Sequence, residues 1–201
     1  MRAHVLIPLL AFGCIAHADR LISIPTARKL PFGTVSFEGM SEVRGRTVEH
    51  YLDVGIGTSF ELEAHSQRWL SGPTVGTFDV DYSYLAPIPD LAPGISLGVQ
   101  DALDRTVQRR RYYAAITFRN IFETSDGEVP ADITLGAFLG HQSGAFVGVA
   151  LPFSKAVWLL AEHDGYRISS GLELRPTAWA SARLIFRDQQ TLFDLKLVHR
   201  F

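Results

Sequence analysis

Cysteine, lysine and long apolar runs are scarce in this sequence, and each absence excludes a class of protein. Cys14 is the only cysteine, so the chain after it has no disulfide to supplement its core. No stretch beyond the N-terminus has the roughly 18 consecutive apolar residues that a membrane-spanning helix requires. The formal net charge is only −2, and no basic or acidic tail indicates a nucleic-acid partner. A helical membrane protein and a disulfide scaffold are both excluded.

The N-terminus has the layout of a secretory signal peptide, residues 1–18. An apolar stretch, Val5 to Ile15, follows a short basic start and leads to a small-x-small site at Ala16 to Ala18. We expect cleavage after Ala18, which leaves the mature chain without cysteine. The alternative is cleavage before a lipid-modified Cys14. It fits less well because Ala11 to Gly13 depart from the small, apolar residues that such sites prefer.

From residue 34 onward, short alternating runs are separated by turn residues. In "VEHYLDVGI", Leu52 and Ile56 lie on one face, while Glu49 and Asp53 lie on the other. Such alternation predicts β-strands with one apolar face, and helical periodicity is almost absent. About twelve strands, with ten to fourteen allowed, fit the length at roughly 15 residues per strand and turn. The sequence predicts one all-β domain over residues 34–201, preceded by a periplasmic leader over residues 19–33.

Two folds are built from such strands, a soluble periplasmic sandwich and a transmembrane barrel. A sandwich exposes its polar face to water and carries many lysines there, but lysine is scarce in this chain. Aromatic side chains gather near the strand ends, as in the interfacial girdles of membrane barrels. We therefore predict a single antiparallel transmembrane β-barrel in the bacterial outer membrane, in contact with its lipid.

The last strand resembles the C-terminal signal that the barrel-assembly machinery recognises in outer-membrane proteins. Phe193, Leu195, Leu197 and Phe201 follow each other at steps of two and end on an aromatic residue, with His199 as a departure from the series. The resemblance implies the assembly machinery as a partner. We expect both termini on the periplasmic side, with this strand closing the barrel against the first.

If the apolar faces point outward, the inward faces are charged, with acid in the first half of the chain and base in the second. Two roles for these opposed walls remain open. A bridged network of side chains would plug and stabilise the barrel, whereas a water-filled lumen would carry a transverse field that orients polar solutes. The predicted acidic wall is Glu38, Glu49, Asp53, Glu61, Glu63, Asp79 and Asp81, and the predicted basic wall is Arg119, Arg167, Arg175, Arg183 and Lys196.

The leader, with Ile24 to Ala27 at its centre, has two positions open to it. It hangs in the periplasm, or it folds into the barrel mouth, where Arg28 and Lys29 would meet the acidic wall. The second position would make it a plug.

Catalysis has only weak candidates. His141 with Ser143, and His163 with Asp164, are neighbours in turn sequences, and a catalytic pair needs a defined geometry that such spacing does not supply. The sequence has no glycine-rich phosphate loop and no Cys/His cluster. We predict a non-enzymatic protein without cofactor or metal.

Two stretches resemble the YjbH-like outer-membrane proteins. They are "LISIPTARKLPFGTVSFEG", Leu21 to Gly39, and "LLAEHDGYRISSGLELRP", Leu159 to Pro176, where His163 stands in place of the usual aromatic residue. The resemblance implies a barrel with a role in exopolysaccharide production or export, and polysaccharide-export components as partners. It supplies no catalytic residues. The alternatives are a channel for small polar solutes and a closed structural barrel.

Overall fold

The computed structural model describes residues 20–69 and 72–201, which form a closed barrel of twelve antiparallel strands. Each strand pairs with its neighbours in sequence, and β1 pairs with β12, so the sheet has no free edge. The predicted all-β barrel and its strand number are confirmed. The predicted signal peptide, residues 1–18, lies outside the described residues. The strands are β1 (Thr34–Glu42), β2 (Thr47–Ile56), β3 (Phe60–Trp69), β4 (Thr74–Leu85), β5 (Gly94–Gln100), β6 (Arg111–Thr124), β7 (Gly127–Gly140), β8 (Gly144–Pro152), β9 (Val157–His163), β10 (Ile168–Thr177), β11 (Ala180–Arg187) and β12 (Gln190–Arg200).

Alternation along each strand separates an apolar outer surface from a polar interior. Leu52 and Leu195 are 44% and 52% exposed, whereas their neighbours Asp53 and Asp194 are 1% and 0% exposed. A soluble protein buries its apolar side chains and exposes its charged ones. The reverse arrangement found here suits a barrel whose outer surface meets hydrocarbon. Within the described ranges, no helix is long and apolar enough to cross a bilayer.

The barrel has two distinct ends. Gly33 and Phe201 meet at one of them, where the Phe201 amide donates to the Gly33 carbonyl at 2.8 Å, and we call this the terminal end. The opposite end carries the connection between β5 and β6, residues 101–110, and we call it the loop end.

Strand β5 is shorter than both of its neighbours, and the adjoining loops satisfy the backbone groups beyond it. Pairing between β4 and β5 reaches Val80. Past that point the Ala102 amide donates to the Phe78 carbonyl at 2.9 Å. At the terminal end, the Asp90 amide donates to the Arg119 carbonyl at 2.9 Å. The two loops thereby pair backbone carbonyls of β4 and β6 that lie beyond the ends of β5.

The apolar core lies inside the barrel and includes residues that precede β1. Leu21, Ile22 and Ile24 are at most 9% exposed and belong to one cluster with inward-facing residues of the later strands. The strand residues of this cluster include Met40, Tyr113, Phe138, Phe146, Trp158, Leu160, Ile185 and Leu192.

Candidate functional site

The feature that defines the interior is a luminal segment, residues 20–30, which runs inside the barrel before β1 begins. It opens with a tight turn in which the Leu21 amide donates to the Ile24 carbonyl at 3.0 Å. Ile24, Ala27 and Leu30 are at most 1% exposed. Of the two positions that the sequence leaves open for the leader, residues 20–30 occupy the one inside the barrel.

The barrel wall satisfies the backbone of the luminal segment. The Glu162 carboxylate on β9 accepts from the amides of Ile22, Ser23 and Ile24 at 3.0–3.3 Å and from the Ser23 hydroxyl at 2.5 Å. Because an unpaired buried amide costs about as much as a lost hydrogen bond, one carboxylate fixes the conformation of this turn.

Further along, single side chains of other strands hold the segment. The Ala27 amide donates to Thr117 Oγ1 at 2.8 Å, and the Leu30 amide donates to Glu61 Oε2 at 2.7 Å. Pro25 has no amide hydrogen and needs no such partner. The segment is thereby bonded to β3, β6 and β9, on different sides of the lumen.

Two arginines of the segment form buried ion pairs with the wall. Arg20 reaches Glu38 at 2.6 Å and Glu63 at 3.1 Å, and its guanidinium lies 3.5 Å from the centre of the Tyr51 ring. On another side of the lumen, Arg28 pairs with Asp132 at 2.8 Å. Arg119 on β6 binds the same Asp132 carboxylate at 2.7 Å.

Inward-facing glycines make room for the segment. A Cβ atom at Gly148 would lie 2.5 Å from Ile24 Cδ1 and 2.6 Å from Leu21 Cδ2. A Cβ atom at Gly55 would lie 2.7 Å from the Leu30 carbonyl oxygen. These distances are shorter than any ordinary contact, so the segment occupies space that side chains would otherwise fill.

All members of the predicted acidic wall lie on inward positions of β1 to β4, and most of them are buried. Strand register places Asp53 beside Glu63 and Glu63 beside Asp79, with Glu61 beside Asp81 on the same three strands. Glu49 lies nearer the loop end and accepts from Tyr51 and Gln67. Five of the predicted acidic residues, Asp53, Glu61, Glu63, Asp79 and Asp81, thus form one contiguous patch, and Arg20 connects Glu38 to it.

This acidic patch is bound by groups that the sequence does not identify. Asp81 accepts from the Tyr113 hydroxyl, across the short strand β5. Gly98 stands between them on β5, and a Cβ atom there would lie 2.6 Å from Asp81 Oδ1. Asp79 accepts from the Asp101 amide at 2.7 Å, and thereby anchors the loop between β5 and β6.

The predicted basic wall does not simply face the acidic one across the lumen. Because β1 is hydrogen-bonded to β12, Glu38 lies directly beside Lys196, at 3.8 Å, and Arg183 on β11 reaches Glu38 at 2.6 Å. Arg183 also pairs with Asp194, its partner in the strand register. Acid and base therefore meet at the seam where the barrel closes.

The other predicted basic residues have separate surroundings. Arg175 pairs with Glu173 at 2.6 Å and lies over the Trp158 ring. Arg167 lies in the turn between β9 and β10 with a half-exposed side chain, 3.7 Å from Asp188. It faces the lumen entrance and takes no part in the buried network.

Two cavities of very different size lie among the described residues of the interior. Beside the luminal segment, toward β7 to β12, a cavity of about 30 Å³ has room for little more than water. Above the segment, at the loop end, a vestibule of about 400 Å³ has Arg20 and Ser23 on its floor. Its wall carries glutamines and aromatic residues, namely Gln67, Gln100, Gln108, Gln142, Gln190, Tyr51, Trp69 and Tyr166, together with the arginines Arg109, Arg111, Arg167 and Arg187.

The loop between β5 and β6 borders the vestibule and is organised by Asp101. Its carboxylate accepts from the amides of Arg105 and Thr106 at 2.9 and 2.6 Å, and from the Thr77 hydroxyl at 2.6 Å. Burial opposes the charged form, but these hydrogen bonds outweigh it and lower the pKa of Asp101 below its ordinary value.

The catalytic candidates His163, Asp164 and Ser143 form hydrogen bonds within turns. The Gly165 amide donates to His163 Nδ1 at 3.1 Å, and the Asp164 carboxylate accepts from the Tyr166 and Arg167 amides. In the neighbouring turn, the Ser143 hydroxyl bonds the backbone of Gly140 rather than a histidine.

The four residues of the predicted assembly signal lie on the outer surface. Phe193, Leu195, Leu197 and Phe201 are 45–83% exposed, and β12 pairs with β1 along nine residue pairs. The last strand therefore closes the barrel, as the sequence predicts.

Three residues of this network are not predicted from the sequence pattern: Arg20 of the luminal segment, and Asp132 and Glu162 of the barrel wall. Glu162 follows Trp158 and Leu160 at steps of two on the inward face of β9, a run that is apolar on both faces and has no readable orientation. Asp132 precedes the outward-facing Ile133 on β7, so the two-residue alternation of the sequence could have identified Asp132 as an inward-facing residue.

Comparison with known proteins identifies a similar solved structure but no family. No family model and no curated protein sequence matches the chain. A solved structure of the NanC porin aligns with a TM-score of 0.49 at 10% identity, over 83% of this chain and 99% of the porin chain. The geometry of the described residues defines the class of protein. It is a closed twelve-stranded β-barrel with an apolar outer surface and a charged interior that residues 20–30 occupy.

Proposed function

We propose that this protein is a bacterial outer-membrane β-barrel whose lumen is closed at rest by its own luminal segment. The apolar outer surface and the closed sheet support the location. The observation that carries the closed state is the burial of residues 20–30 inside the barrel, where Glu162, Glu38 and Glu63 hold them. A small polar solute would pass only if this segment moved.

Bilayer conductance tests the closed state. The mature chain, residues 19–201, is reconstituted in a planar bilayer beside a variant that lacks residues 20–30. We expect the full chain to stay closed and the variant to conduct, with heat-modifiability on a gel as the check that both form barrels. Steady conductance by the full chain, or equal conductance by both, would refute the proposal.

We also propose that the protein has no enzymatic role. The support is that His163 and Asp164 hold the same turn by separate hydrogen bonds to the backbone. Replacing His141 and His163 with alanine together is expected to leave the cellular phenotype of the protein unchanged.

A second candidate function is a role in exopolysaccharide production or export, which the resemblance to the YjbH-like proteins implies. The vestibule favours it, because its glutamine amides suit sugar hydroxyls, and the rings of Trp69 and Tyr166 offer apolar faces. The test is the extracellular polysaccharide yield of a deletion strain. We expect the intact gene to restore the yield and Trp69→Ala with Gln67→Ala to restore it poorly, while Phe122→Ala on the outer surface serves as the control. Undiminished yield in the deletion strain would exclude this role.

A further inference from the structure

The outer surface of β1 to β4 contains a groove near the loop end that the closed lumen does not explain. It has a volume of about 530 Å³ and is bordered by Phe37, Leu52, Phe78, Leu103 and Arg105. Because it lies on the face that meets lipid, its occupant comes from the membrane rather than from the lumen.

Strand register explains the shape of this groove. One row across the four strands consists of large apolar residues with one small one, in the order Phe37, Leu52, Ala64 and Phe78. The next row toward the loop end contains Gly39, His50, Ser66 and Gly76. These mostly small side chains leave a depression above the apolar row.

The loop between β5 and β6 supplies the remaining wall. Because β5 ends early, the loop packs along β4 through the hydrogen bond from Ala102 to Phe78. Leu103 and Arg105 thereby border the groove from the side opposite β1. The apolar groove is thus bordered by a cation.

The groove lining contains an arginine and no acidic residue. Arg68 lies in the row above His50 and Ser66, and Arg105 borders the groove itself. Within the described residues neither arginine forms an ion pair, and no outward-facing residue of β1 to β4 is acidic. His50 places an ionisable ring on the lipid-facing surface, where such groups are costly without a role.

We infer that this groove binds one phosphate-bearing lipid of the surrounding membrane. An acyl chain lies over Ala64 and Gly76 between the apolar walls, and the phosphate is held by Arg105 and Arg68 with His50 beneath it. Both halves of the site are required, because the groove selects a hydrocarbon chain and the arginines select an anion.

Native mass spectrometry of the full mature chain in detergent tests this site. The probe is phosphatidylglycerol, compared with diacylglycerol of the same chains and with free glycerol 3-phosphate. We expect phosphatidylglycerol to be retained at one site more tightly than the other two. Each of Arg105→Ala and Arg68→Ala should weaken it about five-fold.

Matched variants separate the groove from general effects on the barrel. Gly76→Leu places an apolar side chain in the groove, where the nearest atom to the added Cβ is 3.9 Å away, and should lower retention of the lipid. Ala137→Leu, on the outer surface of β7, and Arg109→Ala, in the same loop but facing the vestibule, should leave retention unchanged. Equal retention of diacylglycerol, full displacement by glycerol 3-phosphate, or no effect of Gly76→Leu would overturn the inference.

Discussion

The two sides of the barrel interior bind the luminal segment by different physical means. Toward β8 and β9, the wall is largely apolar, with Gly148 leaving room for Leu21 and Ile24 and with Glu162 accepting hydrogen bonds from the backbone amides. Toward β1 to β4, the wall is acidic and receives Arg20. The first side therefore determines the shape that fits, and the second determines the charge that the segment must carry.

The largest expected effect comes from removing the cation on the acidic side. Arg20→Ala removes the ion-pair partner of the buried Glu63, while Glu38 keeps Arg183, and breaking a buried pair costs about 3–5 kcal/mol. We expect a lower unfolding midpoint in urea, measured in detergent. Arg167→Ala removes an exposed pair and is the control, with an expected loss of at most about 1 kcal/mol. Equal losses would show that burial does not matter here.

The backbone clamp on the apolar side is expected to rank next. Glu162→Ala removes a charged acceptor from three amides, and hydrogen bonds to charged groups contribute about 1.5–3 kcal/mol. Amide hydrogen exchange should become faster at Ile22, Ser23 and Ile24 while the strands stay protected. Glu162→Gln keeps an acceptor oxygen, so exchange of these amides should be faster than in the unchanged protein and slower than in Glu162→Ala. Unchanged protection in Glu162→Ala would mean that packing alone holds the turn.

The glycine notch offers a steric test of the same side. Gly148→Leu overlaps Ile24 and Leu21, and overpacking of this kind costs about 1–3 kcal/mol. If the segment is displaced, Ile24→Cys in the same chain should react with a membrane-impermeant thiol reagent. Gly144→Leu is the matched control on the same strand, because the nearest atom to its Cβ position is 3.6 Å away. Equal reactivity of Ile24→Cys in both backgrounds would refute the displacement.

The smallest effect is expected at the loop beside the acidic side. The folded state lowers the pKa of Asp101 below its ordinary value of about 3.8, so this carboxylate stabilises the loop at neutral pH. That contribution is lost as the pH falls below about 4 and through the lowered pKa. Hydrogen-exchange protection of the Arg105 and Thr106 amides should decrease over that range. In Asp101→Asn it should already be low at pH 7 and change little with acid.

Much of the barrel can be predicted from the sequence, because each strand displays its two faces in its own residues. Leu52 and Asp53 are adjacent, and their opposite exposures follow from the pleat alone. Strand β9, whose sequence is apolar on both faces, is one exception. There the inward residues Trp158 and Leu160 pack against interior residues instead of meeting water, so the contrast that marks other strands disappears.

Glycines on the inward face weaken the pattern for a related reason. Gly148 leaves its strand without a readable inward face, and the structure shows that the missing side chain is replaced by Ile24 of the luminal segment. The alternation pattern of a strand depends on the residues of that strand alone, so it does not predict which distant segment packs against it.

The strand number, the outward-facing apolar side chains and the inward acidic patch could be predicted from local alternation, since a two-residue period acts over a few neighbouring positions. The pairing of Glu38 with Arg183, the position of residues 20–30 and the division of the lumen into a filled part and a vestibule were not. These depend on the closure of β1 against β12 and on which shape fills the enclosed space. Both bring together residues more than a hundred positions apart, where no local period reaches.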